Sequence, residues 1–292
     1  MKMELVEEIF YMIFKATISQ TAFMLKKKES VCVFYVLFFM VIINFIGNVL
    51  YFQGKDIVKM YQPMKLLLLS YNRTNWNASN TLLLLQLYPL LVVCPAGFSL
   101  AREYQLGTRV FLVSRLGNFT YQVSKYLAAF LTTMIIFTVP FLLEIILNCL
   151  SFPLSATGDL SNMSIYDSAY RIGVNRYFMK SIYLYSPYLY AVIGTLLFGV
   201  VSGLLGVFTV AVSSVIRVKY NVFLFLPVFV TLNMSTILAR GFPKDAPSTK
   251  WYDYVLLFND ELRSISFGLT CILVLVLFLI GAICVSGRKD CL

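Results

Sequence analysis

Apolar residues along this chain come in long blocks separated by polar stretches. Blocks at 31–52, 82–100, 126–150, 187–216, 220–238 and 265–285 each run to transmembrane length. Alternation of the strand type, polar and apolar residues trading places over ten-residue segments, is absent, so a membrane β-barrel is not expected. The pattern predicts an all-α integral membrane protein with six transmembrane helices. Ahead of the first block, Leu5, Ile9, Ile13 and Ala16 recur at helical spacing on one face, and Glu4, Glu8, Tyr11, Lys15 and Ser19 on another. Residues 1–30 therefore read as an amphipathic helix lying in the membrane interface, ended by the basic anchor Lys26-Lys27-Lys28. The charge running on through those lysines, with no small-residue cleavage site, argues against a removable leader.

Between the second and third blocks lies a polar, basic island, residues 101–125, which is the stretch that needs a reason to exist. Leu106, Val110 and Val113 fall on one face of a helix while Arg102, Gln105 and Arg109 share another. Gly117-Asn118 reads as a helix stop, and Thr120 as a cap for the helix that follows. The expectation is a short amphipathic helix on which another molecule docks. The stretches 53–81 and 151–186 read as polar external loops, the second with a tyrosine-rich helical segment at 165–185.

Composition turns the pattern into a class. Of 292 residues, 59% are hydrophobic and 13% charged, whereas a soluble domain carries about 25% charged residues. Net charge is +10, but the basic residues flank apolar blocks, where they orient a chain and meet anionic lipid; nucleic acid is not an expected partner. Thirteen of the 24 lysines and arginines fall on one side of the predicted topology: five before the first span, four in 101–125, Arg217 and Lys219, and two in the tail. That side is taken as the cytosol, which puts both termini inside a multi-pass protein of the cell membrane.

The chemistry available is narrow. Histidine is absent and the six cysteines form no C-x-x-C pair, which removes the commonest general base and the usual metal sites. No phosphate-binding G-x-x-x-x-G-K-[ST] loop occurs, so ATP hydrolysis is not expected of this chain, nor any cofactor within it. Asp260-Glu261 beside Arg263 reads as a solvated capping cluster. Glu144 is an acid inside the third span; it either finds a structural partner, such as a hydroxyl or Arg240, or lines a substrate route. Gly199, Gly203 and Gly206 form a small-residue seam that lets a helix approach closely, against either a neighbouring span or a second copy.

The order of these parts resembles the ABC-2 type permease family. The first cytosolic segment reads Arg102-Glu103-x-x-x-Gly107-Thr108, then Leu112, Arg115, Tyr121 and Lys125, similar to that family's pattern between spans two and three. The stretch from Trp251 to Arg263 is similar to its external segment before the last span, with Asn259-Asp260 where the family has Asn-Pro. The resemblance implies a transport subunit, not an enzyme, that pairs with a second permease copy or a sister permease. Separate ABC ATP-binding subunits would supply ATP and Mg. Arg102, Glu103, Gly107, Thr108, Arg109 and Arg115 would form the coupling helix seated in the ATPase. The substrate class implied is an amphipathic peptide, antibiotic or lipid-like molecule, in export or drug resistance. Two other readings stay open: a membrane immunity or sensor subunit that binds a ligand through its external loops, and a proton-coupled carrier.

Overall fold

A computed structural model of the chain describes residues 2–54, 62–70, 78–154, 179–215, 221–239, 241, 248–258 and 265–288. Among them are eleven α-helices: α1 (Lys2–Leu25), α2 (Lys28–Phe52), α3 (Ala78–Val93), α4 (Gly97–Gln105), α5 (Thr108–Leu116), α6 (Asn118–Ser151), α7 (Lys180–Tyr185), α8 (Pro187–Val215), α9 (Phe225–Ala239), α10 (Trp251–Val255) and α11 (Ile265–Arg288). The only extended pairing among the described residues is a single parallel bridge between Ser70 and Leu257. Arg217 and Lys219, Arg240, the Asp260–Arg263 cluster and most of the second long loop lie outside the described residues.

Among the described residues, five helices are long and apolar enough to cross a membrane: Lys28–Phe52, Ser79–Gln105, Asn118–Ser151, Pro187–Val215 and Phe267–Cys284. This all-α, membrane-embedded, multi-pass architecture matches the block pattern. The expected span at 220–238 differs. It divides into a 3-10 turn, Asn221–Leu224, and directly after it α9, a helix of 15 residues that at 1.5 Å per residue covers about 22 Å of an apolar layer about 30 Å thick. Of the three helix breakers in the span at 82–100, Pro89 stays inside α3, and the break falls at the other two: α3 ends at Val93, a turn runs through Pro95, and α4 restarts at Gly97.

The bundle is built around α6 and α8. Helix association in lipid gains little from hydrophobicity and depends on close packing, so small residues mark the contact. The glycine seam of α8 faces α6 within the same chain. A Cβ on Gly199 would lie 1.9 Å from Thr138 Oγ1, one on Gly203 2.8 Å from the Phe130 ring, and one on Gly206 2.5 Å from Thr133 Oγ1. Beside the seam, Tyr88 of α3 stacks on Trp251 of α10 with centroids 5.0 Å apart, and meets Phe137 and Phe198 edge-on and tilted. Its hydroxyl bonds the Ser202 hydroxyl at 3.0 Å. Helix α1 packs lengthwise on α6: Thr17, Thr21 and Met24 are buried, while Phe10, Tyr11, Phe14 and Phe23 face outward. The inward face continues the predicted Ile13/Ala16 stripe; Thr17 and Thr21 on it donate to the Ile13 and Thr17 carbonyls of their own helix, both at 2.8 Å, and Gln20 Nε2 donates across to Ser124 Oγ at 3.1 Å.

The first long loop is not simply polar. Its segment 63–70 opens with a 3-10 turn (Pro63–Leu66) and buries Met64, Leu66, Leu67, Leu68, Leu69 and Ser70 almost completely. Irregular backbone inside an apolar bundle must find partners in the protein, and here side chains supply them. Asn44 and Asn48 of α2 donate to the Leu66 carbonyl at 3.1 and 2.8 Å, and Thr81 of α3 donates to the Leu68 carbonyl at 3.0 Å. The Leu257 N–H donates to the Leu69 carbonyl at 2.8 Å. Hydropathy blocks of transmembrane length do not reveal so short a buried run.

The seam makes a direct prediction. Gly203→Leu forces a side chain into Phe130 and its carbonyl and costs about 1–3 kcal/mol of stability, read as a lowered thermal midpoint in detergent. Gly281→Leu, where a Cβ meets nothing within 4 Å, leaves the midpoint unchanged.

Candidate functional site

The predicted docking stretch is two helices, not one. Leu106 ends α4, Gly107 turns the chain at φ 67°, and α5 then runs to Leu116 before Gly117 turns it again at φ 78°. Positive φ at both positions suits glycine, the residue with no Cβ to clash. The break corrects the face assignment: Arg102 and Gln105 belong to α4 and Arg109 to α5. Thr120 lies in the first turn of α6, while Gly117 occupies the cap position.

The charged residues of this stretch are mostly turned inward. Glu103 of α4 accepts from both Lys125 Nζ and Tyr121 OH of α6, the latter at 2.5 Å. The Lys125 side chain is 2% exposed and that of Glu103 14%. Arg102 makes a half-exposed ion pair with Glu29 of α2 at 2.9 Å. Arg109 is 6% exposed, donates to the Tyr104 hydroxyl, and stands 4.4 Å from the Tyr104 ring centroid. Its Nε and Nη2 have no acceptor. Beside this cluster a cleft of about 60 Å³ opens between the α1–α2 turn and the α3–α4 break, lined by Lys27, Glu29, Cys94, Ser99 and Arg102. Burial, and after it the Lys125 charge, hold the Lys27 ammonium below its usual range.

What α5 turns outward is different. Leu106 is 68% exposed and Phe111 72%, with Val110 beside them; Gly107, Thr108, Ser114 and Arg115 are exposed on the same helix and its lead-in turn. Of the six residues expected in the docking role, Gly107, Thr108 and Arg115 are therefore open to a partner. Arg102, Glu103 and Arg109 are engaged within the chain. Phe111 was missed because its spacing sets it off the Leu106/Val110/Val113 stripe once a continuous helix is assumed. Glu29, Tyr104 and Ser124 were missed because nothing local marks a contact made across helices.

Glu144 of α6 is fully buried. Its Oε1 accepts from Asn44 Nδ2 at 2.6 Å and from the Leu68 N–H at 2.8 Å, so it ties α2, α6 and the inserted segment together. Among the described residues no three histidine, cysteine or acidic side chains gather into a metal cluster, and Cys32, Cys94, Cys149, Cys271 and Cys284 are free thiols. No protein-family profile, curated protein or solved structure matches the chain.

Removing one partner of a buried ion pair leaves the other charge desolvated, at a cost of about 3–5 kcal/mol. Glu103→Gln and Lys125→Met are each expected to lower the thermal midpoint sharply, and the double variant to lose less than the two together. A double-mutant cycle on detergent-solubilised protein reads this coupling.

Proposed function

We propose that this chain is the membrane-spanning subunit of an ATP-driven exporter of the ABC-2 type. It moves an amphipathic peptide, antibiotic or lipid-like substrate outward on energy from separate ATP-binding subunits. The observation that carries the reading is the exposed apolar patch made by Val110 and Phe111 of α5 with Leu106 at the end of α4, beside the buried Glu103–Lys125 pair that ties α4 to α6. Clustered exposed apolar side chains on a helix with a polar surround suit a protein partner.

In this reading α5 is the coupling helix. Gly107, Thr108, Phe111 and Arg115 meet the ATPase. Arg102 and Glu103 are positioning residues that lock α4 to α2 and α6, and Arg109 locks α5 onto Tyr104 of α4. A stiff elbow passes a displacement at α5 into α4 and α6 as a rigid body. The elbow then faces the cytosol with both termini, in the cell membrane. α9 completes six spans as a short one, and a second permease copy or a sister permease completes the transporter. ATP and Mg belong to the partner.

Phe111→Asp tests the docking face without touching the packed interior. The variant is expected to keep its thermal midpoint, to lose co-purified vanadate-sensitive ATPase activity by about tenfold or more, and to lose ATP-driven uptake of a fluorescent amphipathic peptide into inverted vesicles. Wild-type ATPase retention and uptake in Phe111→Asp would overturn the reading. Uptake that ignores ATP and stops when the proton gradient is collapsed would make the chain a proton-driven carrier. Peptide retention at the outer loops, with no uptake, would make it an immunity or sensor subunit.

A further inference from the structure

The cleft between the α1–α2 turn and the α3–α4 break holds donors that no described residue answers. Lys27, Ser99 and Arg102 all line it. Lys27 is half-buried and belongs to neither ion pair among the described residues; its ammonium stands over the Phe23 ring, 5.1 Å from the centroid. Ser99 is 3% exposed and its Oγ has no partner. Buried serines elsewhere bond back along their own helix: Ser202, Ser213 and Ser214 of α8 each donate to a carbonyl one turn earlier, at 2.8, 2.8 and 2.7 Å. For Ser99 the carbonyl four residues back is that of Pro95, and Ser30 Oγ of α2 already donates to it at 3.2 Å.

The lining is therefore short of an acceptor. Its one carboxylate, Glu29, takes Arg102 Nη1 at 2.9 Å, so Lys27 and Arg102 against Glu29 leave a single positive charge. Behind them Lys125 and Glu103 cancel each other. A buried hydroxyl without a partner and a half-buried charge without a counterion both cost free energy. An anion with several oxygens relieves the two together. The cleft, at about 60 Å³, has several times the volume of about 10–15 Å³ that one water needs, which leaves room for a phosphate group. Lys27 directly precedes α2, a helix long enough to cross a membrane, so the cleft opens at the level of lipid headgroups. Cys94 and Phe98 add an apolar wall beside the charged one.

We propose that this cleft binds one phosphate group, with Lys27 Nζ and Ser99 Oγ donating to its oxygens and Arg102 at its rim. A phosphodiester carries one negative charge and matches the net charge of the lining, which suits the headgroup of an anionic phospholipid. Inorganic phosphate offers the same oxygens without the apolar part. The site is independent of the exporter reading, since it needs neither an ATPase nor a transported substrate.

The test uses the full chain in neutral detergent at constant pH and ionic strength, with thermal unfolding followed by tryptophan fluorescence. Dioctanoyl phosphatidylglycerol, inorganic phosphate and dioctanoylglycerol, which has the chains but no phosphate, are titrated in separate arms. A ligand that binds the folded state alone raises the midpoint with its concentration. The phospholipid is expected to raise it by about 4 °C at ten times the half-saturating concentration, and dioctanoylglycerol to leave it unchanged. Lys27→Met is expected to move half-saturation up about tenfold and Ser99→Ala about threefold. Ser99→Ala removes an unpartnered hydroxyl, so its midpoint without ligand does not fall, which separates a ligand contact from a structural one. Lys26→Met, at an exposed lysine that does not line the cleft, is expected to bind as the native chain does. Should inorganic phosphate give the same rise and block the lipid's effect, the phosphate site stands and its occupant is the free anion. No saturable response to either phosphate compound would overturn the site. So would an equal response to dioctanoylglycerol, a response unchanged in Lys27→Met and Ser99→Ala, or a loss in Lys26→Met as large as in Lys27→Met.

Discussion

Lys125 and Glu144 stand on the same helix, about 28 Å apart along its axis at 1.5 Å per residue. Neither has access to water. In a bundle made mostly of leucine, phenylalanine and valine, each must be answered by something held in place, and each answer recruits a different part of the chain. Lys125 draws Glu103, and with it α4 and the elbow to α5. Glu144 draws Asn44 and the Leu68 amide, and with them α2 and the inserted segment. The helix between these two points is free of charge and is gripped instead by the glycine seam of α8. Desolvation thus sets the two ends of the molecule, and close packing sets its middle.

The division bears on the proposed function. The inward-turned charges at the Lys125 end convert residues that look like a docking surface into a clamp. Arg109 packs on Tyr104 and Arg102 reaches Glu29, so the surface left for a partner is chiefly apolar, with Arg115 at its edge. Buried ion pairs add little net stability compared with apolar packing but constrain geometry strongly when hydrogen-bonded. An elbow constrained in that way suits the transfer of motion better than a mobile basic loop would. At the far end, the inserted segment is tied to its neighbours by six individual bonds, four from the side chains of Asn44, Asn48, Thr81 and Asn148, one to Glu144 and one from the Leu257 N–H.

Much of the architecture was legible in the sequence. The block lengths marked the membrane helices because only a helix satisfies its own backbone in lipid. The break at Pro95 and Gly97, the stop at Gly117, and the close approach of Gly199, Gly203 and Gly206 were legible for equally local reasons: ring closure and the missing Cβ act on the residue itself. The shortness of α9 was not, since a run of apolar residues does not say where its helix begins. Nor was the burial of 63–70, a hydrophobic run too short to register as a span.

By itself, then, the chain's residue order determined its class, most of its helices, its lack of a phosphate loop and the seam along α8, because each depends on short-range sterics or on hydrophobicity summed over a window. Only the tertiary structure decided which polar residues meet. Glu103 finds Lys125 and Tyr121 from 22 and 18 positions away, Glu144 finds Asn44 from 100, and Phe111 is left outside because Gly107 swings α5 away from the axis of α4. Those outcomes depend on the relative placement of whole helices, and a pairing between distant residues leaves no mark on the neighbours of either.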